Sequence, residues 1–179
     1  MSLALILGST VVGGCAAPPP AHWAQGGARV EVPAARWVRS ETMTVDVLPN
    51  GKVTVNGEHE LTIDRAGRVY DPNGVAIALL EPDGKLVGPG DSSLGEVGAS
   101  SASLPNEKTA WLTLLPTGEV VRYDDLGGKA SMGAWIGQCQ MTPRTRQVCL
   151  LVTHLVATRQ RNPNQTGITF GLGVGVGLR

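Results

Sequence analysis

The chain has 179 residues, with 15 Lys or Arg set against 15 Asp or Glu, 24 Gly, 12 Pro and a single Phe. Gly and Pro together make up about a fifth of it, against an average near an eighth, and only 17% of residues are charged. These figures exclude a coiled coil or helical bundle, a chain-wide basic nucleic-acid binder and a highly charged disordered chain. The length suits one domain, or a small domain with tails.

Residues 1–14 read MSLALILGSTVVGG, with an apolar run from Leu3 to Val12 and no acidic residue. That run is too short for a spanning helix, which needs about 20 residues, and matches the hydrophobic region of a secretory signal. Val12-Gly13-Gly14-Cys15 follows: an aliphatic residue, two small ones and a thiol. It resembles the bacterial lipobox. The resemblance implies cleavage between Gly14 and Cys15, diacylglycerol on the Cys15 sulfur and acylation of its new amine. Several acyl chains together anchor stably where one is marginal. The pattern departs in one respect: no Lys or Arg precedes Arg29, so the natural start lies upstream or the signal is weak. Ala16, in place of Asp, implies by the same resemblance passage to the outer membrane. Residues 15–39, opening with Ala16-Ala17-Pro18-Pro19-Pro20, read as a lipidated, semi-rigid tether.

With Cys15 lipidated, Cys139 and Cys149 remain, and an even remainder in an oxidising compartment favours a disulfide over two reduced thiols. No CxxC pair occurs, so no metal site is expected.

Residues 40–126 carry a repeat. A turn-like pair ending in Gly, one residue and an aliphatic recur at Asn50-Gly51-Lys52-Val53, Ala66-Gly67-Arg68-Val69, Asp83-Gly84-Lys85-Leu86 and Thr117-Gly118-Glu119-Val120. The period is near seventeen residues, with one degenerate copy. A second turn falls half-way through most copies, at Asn56-Gly57, Asn73-Gly74, Gly90-Asp91 and, loosely, Asp124-Asp125. Asn-Gly and Asp-Gly favour type I′ hairpin turns, in which both central residues take positive φ. Strands such as Glu58-His59-Glu60-Leu61-Thr62-Ile63 alternate polar and aliphatic residues. The expectation is a mainly β fold: an antiparallel β-meander over about 42–123, forming a sandwich, barrel or rolled sheet. Gly88–Pro105 is loop-like in sequence and is either the degenerate copy or a surface excursion. This part resembles the uncharacterised β-rich lipoproteins of bacterial envelopes, a likeness that carries no activity with it.

Charge cancels in sum but not in place. Residues 40–126 hold 14 acidic and six basic residues, and 127–179 hold six basic and none acidic. The basic segment either packs on the acidic sheet of its own chain or meets a protein or anionic-lipid partner. Within it, 149–158 (CLLVTHLVAT) is apolar on both faces and reads as a buried strand. Residues 168–178 alternate strictly, with Ile168, Phe170, Leu172, Val174, Val176 and Leu178 on one face and mostly glycine on the other. The two predict a C-terminal β-hairpin linked to the rest by the disulfide, its last strand a candidate interaction strand.

No catalytic, dinucleotide, phosphate-loop or zinc fingerprint is present. His22 lies in the tether, His59 on an exposed-type strand, His154 in an apolar run, and Asp124-Asp125 reads as a turn. The expected role is a non-enzymatic, lipid-anchored envelope protein that scaffolds or binds a partner, with no cofactor beyond its lipid and no nucleic acid. Two alternatives stand beside it: an oligomeric, membrane-inserted lipoprotein in which 149–178 give a hairpin to a shared barrel, and an envelope hydrolase acting through His154 or a carboxylate cluster.

Overall fold

The computed structural model of the chain describes residues 17–124 and 126–161. The strands in chain order are β1 (Ala35–Ser40), β2 (Met43–Val47), β3 (Lys52–Val55), β4 (Glu58–Ile63), β5 (Arg68–Tyr70) and β6 (Ala76–Leu80). They continue as β7 (Lys85–Val87), β8 (Ser93–Val97), β9 (Ser101–Ser103), β10 (Ala110–Leu114), β11 (Glu119–Tyr123) and β12 (Lys129–Gly137). One helix, α1 (Pro143–Arg161), follows. Among the described residues the twelve strands form a closed antiparallel barrel in which each pairs with its sequence neighbours. β1 and β12 close the ring, with Trp37 opposite Trp135 and Arg36 opposite Ile136. The meander expected from the repeat is therefore a barrel. Its closing strands lie beyond the repeat-bearing stretch, and Gly88–Pro105, read as loop, supplies β8 and β9.

The repeat has a geometric cause. Up-and-down connectivity sends every even-to-odd turn to one rim, and all the G-x-aliphatic copies are such turns. This first rim carries the turns at 48–51, 64–67, 81–84, 98–100 and 115–118. The half-period turns lie on the second rim. At the first rim each glycine carbonyl accepts a bond from the end of the next hairpin. Gly51 takes the Ile63 N–H at 2.9 Å, Gly67 that of Leu80 at 2.9 Å, Gly84 that of Val97 at 2.7 Å and Gly118 that of Trp135 at 2.8 Å. Ser100 does the same for Leu114, which identifies Gly98-Ala99-Ser100 as the degenerate copy. Gly51 is at φ +90°, and a Cβ there would lie 2.1 Å from the Ile63 carbonyl oxygen. The stapling bond itself excludes a side chain.

Turn type differs from expectation at most copies. Leu48-Pro49-Asn50-Gly51 has its Gly51 N–H bonded to the Leu48 carbonyl and Leu48 N–H to the Lys52 carbonyl, with positive φ at the glycine and not at Asn50. This is a type I turn closed by a left-handed glycine, with Pro preset at its first central position. Asp64–Gly67, Glu81–Gly84, Leu115–Gly118, Asp71–Gly74 and Asp124–Gly127 repeat the bond from glycine N–H to the first carbonyl. Among the described residues, Asn56-Gly57, at φ 51° and 87°, and Gly90-Asp91, at φ 63° and 59°, have both central residues at positive φ, as a type I′ turn requires.

Residues 149–158 are not a strand but the middle of α1, so the hairpin built on them does not form. Val148 through His154 are buried without a break, which leaves the helix no solvent face. Its contacts explain this. Thr153 meets Trp135 on β12, His154 meets Trp111 on β10, and Arg159 meets Glu60 on β4. β4 and β10 stand six places apart in the ring of twelve, so α1 fills the lumen. Nineteen residues give it about 28 Å, more than the height of five-residue strands, about 17 Å. It enters at the first rim, where Arg146 donates to the Leu114 carbonyl, and leaves at the second. Its start is a reciprocal cap: Thr145 N–H donates to Thr142 Oγ1 and Thr142 N–H to Thr145 Oγ1, with Pro143 at the first helical position. Residues 168–178 lie outside the described residues.

The expected tether is also largely structured. The chain meets the second rim at Pro18, whose carbonyl accepts the Gly90 N–H at 2.8 Å. It climbs the outer wall, with Trp23 edge-on to Tyr70 and Arg68 donating to the Trp23 carbonyl, and covers β6, so that residues 77–80 are all buried. Gly27 permits this approach, since a Cβ there would lie 2.0 Å from the Leu80 carbonyl oxygen. From Val30, bonded to the Arg65 carbonyl, the strap crosses the first mouth to Ala34, bonded to Gln138.

Candidate functional site

Two environments hold the chemistry-bearing residues: the filled lumen and the closing seam. In the lumen, three tryptophans line the wall around α1. Trp37 and Trp135 stack with ring centres 6.0 Å apart, and the Trp37 indole donates to the Met132 carbonyl. Trp135 donates to Thr153 Oγ1, which donates in turn to the Cys149 carbonyl one helical turn back. Trp111 Nε1–H donates to His154 Nδ1 at 2.9 Å, which assigns the ring proton to Nε2, where it meets the Leu94 carbonyl at 2.8 Å. Both ring nitrogens of His154 are thus used, and burial pushes its pKa down, countered in part by the Leu94 bond. His154 is 1% exposed. The hydrolase alternative required it open in a pocket beside a carboxylate, so that version of the alternative is overturned.

Cys139 and Cys149 form the expected disulfide, with Cα atoms 5.9 Å apart. It ties the 3-10 turn after β12 to the second turn of α1 and so fixes the helix to the wall. Both sulfurs are fully buried.

The seam presents a shallow outer groove of about 400 Å³ lined by Ala34, Ala35, Val47, Leu48, Ile136 and Gly137. The Arg36–Asp46 pair, 2.6 Å apart, borders it. The hydrogen bond to Asp46 and its charge hold the Arg36 guanidinium above its ordinary pKa. Val38, Leu48 and Ile136 are 40%, 40% and 57% exposed. The preceding residues, Trp37, Val47 and Trp135, point inward, so each strand places adjacent apolar residues on opposite faces. Those three doublets were the available sequence signal, and alternation alone does not single them out.

The remaining sequence candidates disperse. His22 bonds Glu81 at the strap, and His59 bonds Thr62 within β4. Asp124 is a turn residue: its carboxylate accepts the N–H groups of Leu126 and Gly128. Asp125, Gly14, Cys15 and the candidate strand of Ile168, Phe170, Leu172, Val174, Val176 and Leu178 lie outside the described residues. The basic segment does reach its own acidic sheet, through Arg159 and Glu60 at 2.6 Å.

Compared with known protein families, curated proteins and solved structures, the chain matches none of them.

Proposed function

We propose that the protein is a lipid-anchored component of the bacterial cell envelope, with a structural or partner-binding role rather than a catalytic one. The observation that carries this reading is the filled, cross-linked lumen. A helix locked by a buried disulfide and three indole or imidazole bonds leaves no interior path for substrate or cargo, so function falls to the outer surface and the chain ends. A disulfide that persists suits an exported protein, as an oxidising compartment would provide. The Val12-Gly13-Gly14-Cys15 sequence supplies the means of retention, and the outer membrane is the destination that Ala16 implies.

The wall supports a module that stands in water. Its strands, β12 excepted, have three to six residues, short of the 9–11 that cross a bilayer. Outward positions carry Arg36, Asp46, Arg68, Lys85 and Glu96. Metabolic labelling with a fatty acid tests the reading. Label is expected on the wild-type protein and absent from Cys15→Ser, which should also appear in the soluble fraction. Labelling that persists in Cys15→Ser would overturn it.

A further inference from the structure

We infer that the second rim of the barrel is the membrane-facing end, resting on a zwitterionic phospholipid surface with Val75 and Leu126 at the contact. The inference builds on the lipid-anchor reading and adds an orientation to it.

Both ends of the described chain lie at this rim. The N-terminal strap is pinned there by Pro18 to Gly90, and by the Ala21 N–H to Asp91 Oδ1 at 2.8 Å. Only Ala16 and Ala17 lie between Cys15 and Pro18, a span of three Cα-to-Cα steps. Fully extended they reach about 11 Å, so an acylated Cys15 holds the second rim close against the headgroups and cannot present the first rim instead. α1 leaves at the same rim, fastened by Arg159 to Glu60 near the rim end of β4. The apolar residues Ile168 to Leu178 follow it in sequence, so what the chain offers a bilayer at either end starts from one side of the barrel.

The rim itself carries two exposed aliphatic tips. Leu126 on the β11–β12 turn is 97% exposed and Val75 on the β5–β6 turn is 54% exposed. Those turns are six strands apart in the ring of twelve, so the tips stand on opposite sides of the mouth, as two feet would. Each is set by the same local device. Asp71 Oδ1 accepts the N–H groups of Asn73 and Val75 at 2.9 and 2.7 Å, and Asp124 Oδ1 those of Leu126 and Gly128 at 3.0 and 2.6 Å. The acids therefore shape the turns that project the apolar residues. Charge selects the lipid: these loops hold Glu41, Asp71, Asp91, Glu107 and Asp124 against Lys108, a balance that anionic headgroups would repel.

The test uses the full-length, lipidated protein in vesicles of phosphatidylcholine and phosphatidylethanolamine containing spin-labelled lipid. An environment-sensitive fluorophore is placed in turn on Val75→Cys, Leu126→Cys and Leu48→Cys, the last on the first rim. Blue-shifted, lipid-quenched emission at positions 75 and 126 with unshifted emission at 48 is expected. Quenching at 48, or at none of the three, overturns the orientation. Mass spectrometry of the Cys15 peptide separates the two failures. Acylated Cys15 with no quenching at 75 and 126 removes the orientation alone, and unacylated Cys15 removes the anchor and the orientation together.

Discussion

Single residues show where the fold is least tolerant. Gly51 and Gly57 both sit near φ +90°, yet a Cβ at Gly57 meets nothing within 4 Å while one at Gly51 meets the Ile63 carbonyl at 2.1 Å. Gly57→Ala is expected to cost about 1–2 kcal/mol, the left-handed penalty alone. Gly51→Ala should cost distinctly more, because the backbone staple must also move; urea midpoints of the two variants compare them directly. His154 gives a pH signature. Burial lowers its folded pKa below the ordinary 6.5, so the unfolded chain binds the proton first. Its contribution is present above about pH 6.5 and is lost as pH falls from there toward the folded value. Thermal midpoints from about pH 8 to about pH 5 should decline on the acid side, and the decline should flatten in His154→Gln. His154→Ala orphans the Trp111 N–H and the Leu94 carbonyl, and at about 1–3 kcal/mol each the expected loss is about 2–6 kcal/mol in denaturant unfolding.

At the scale of elements, α1 is the decisive one. Its sequence carries no helical stripe, because a helix walled in on all sides needs no polar face, and an apolar run of this kind cannot be told from a buried strand by periodicity. The legible signal lay just upstream, in Thr142-Pro143-Arg144-Thr145, where a hydroxyl before Pro and another three residues on mark a capped start. Thr142→Ala should therefore cost about 1 kcal/mol. The disulfide acts on the same element from the other side. Its sequence separation is 10 residues, and the chain-entropy relation predicts that Cys139→Ser with Cys149→Ser costs about 2–3 kcal/mol. Calorimetry of the double variant measures that loss. The strands were far more readable than the helix. Asn-Gly, Asp-Gly and Pro-x-Gly turns are local chemistry, and the alternation between them, as in Leu61 and Ile63 inward with Thr62 between them outward, needs no distant partner to be seen.

For the whole molecule, closure is the property that organises the rest. The glycine excess that marks the composition sits largely at turns, and the period near seventeen residues is two strands and two turns of one barrel wall. The zero net charge is largely a cancellation between the acidic stretch 40–126 and the basic stretch 127–179, which meet at Glu60 and Arg159. What the sequence determined by itself was local: the turns, the strands between them and the cysteine pair, because each depends on neighbours a few residues away. Only the tertiary structure decided that β1 and β12 meet, that residues 18–34 strap the wall rather than tether it, and that 149–158 coil inside the ring. Those outcomes depend on surfaces the sequence does not place side by side. An apolar run takes its conformation from what surrounds it. Here a closed wall has already satisfied its own strand edges, and a segment inside it must satisfy its backbone alone, as a helix does.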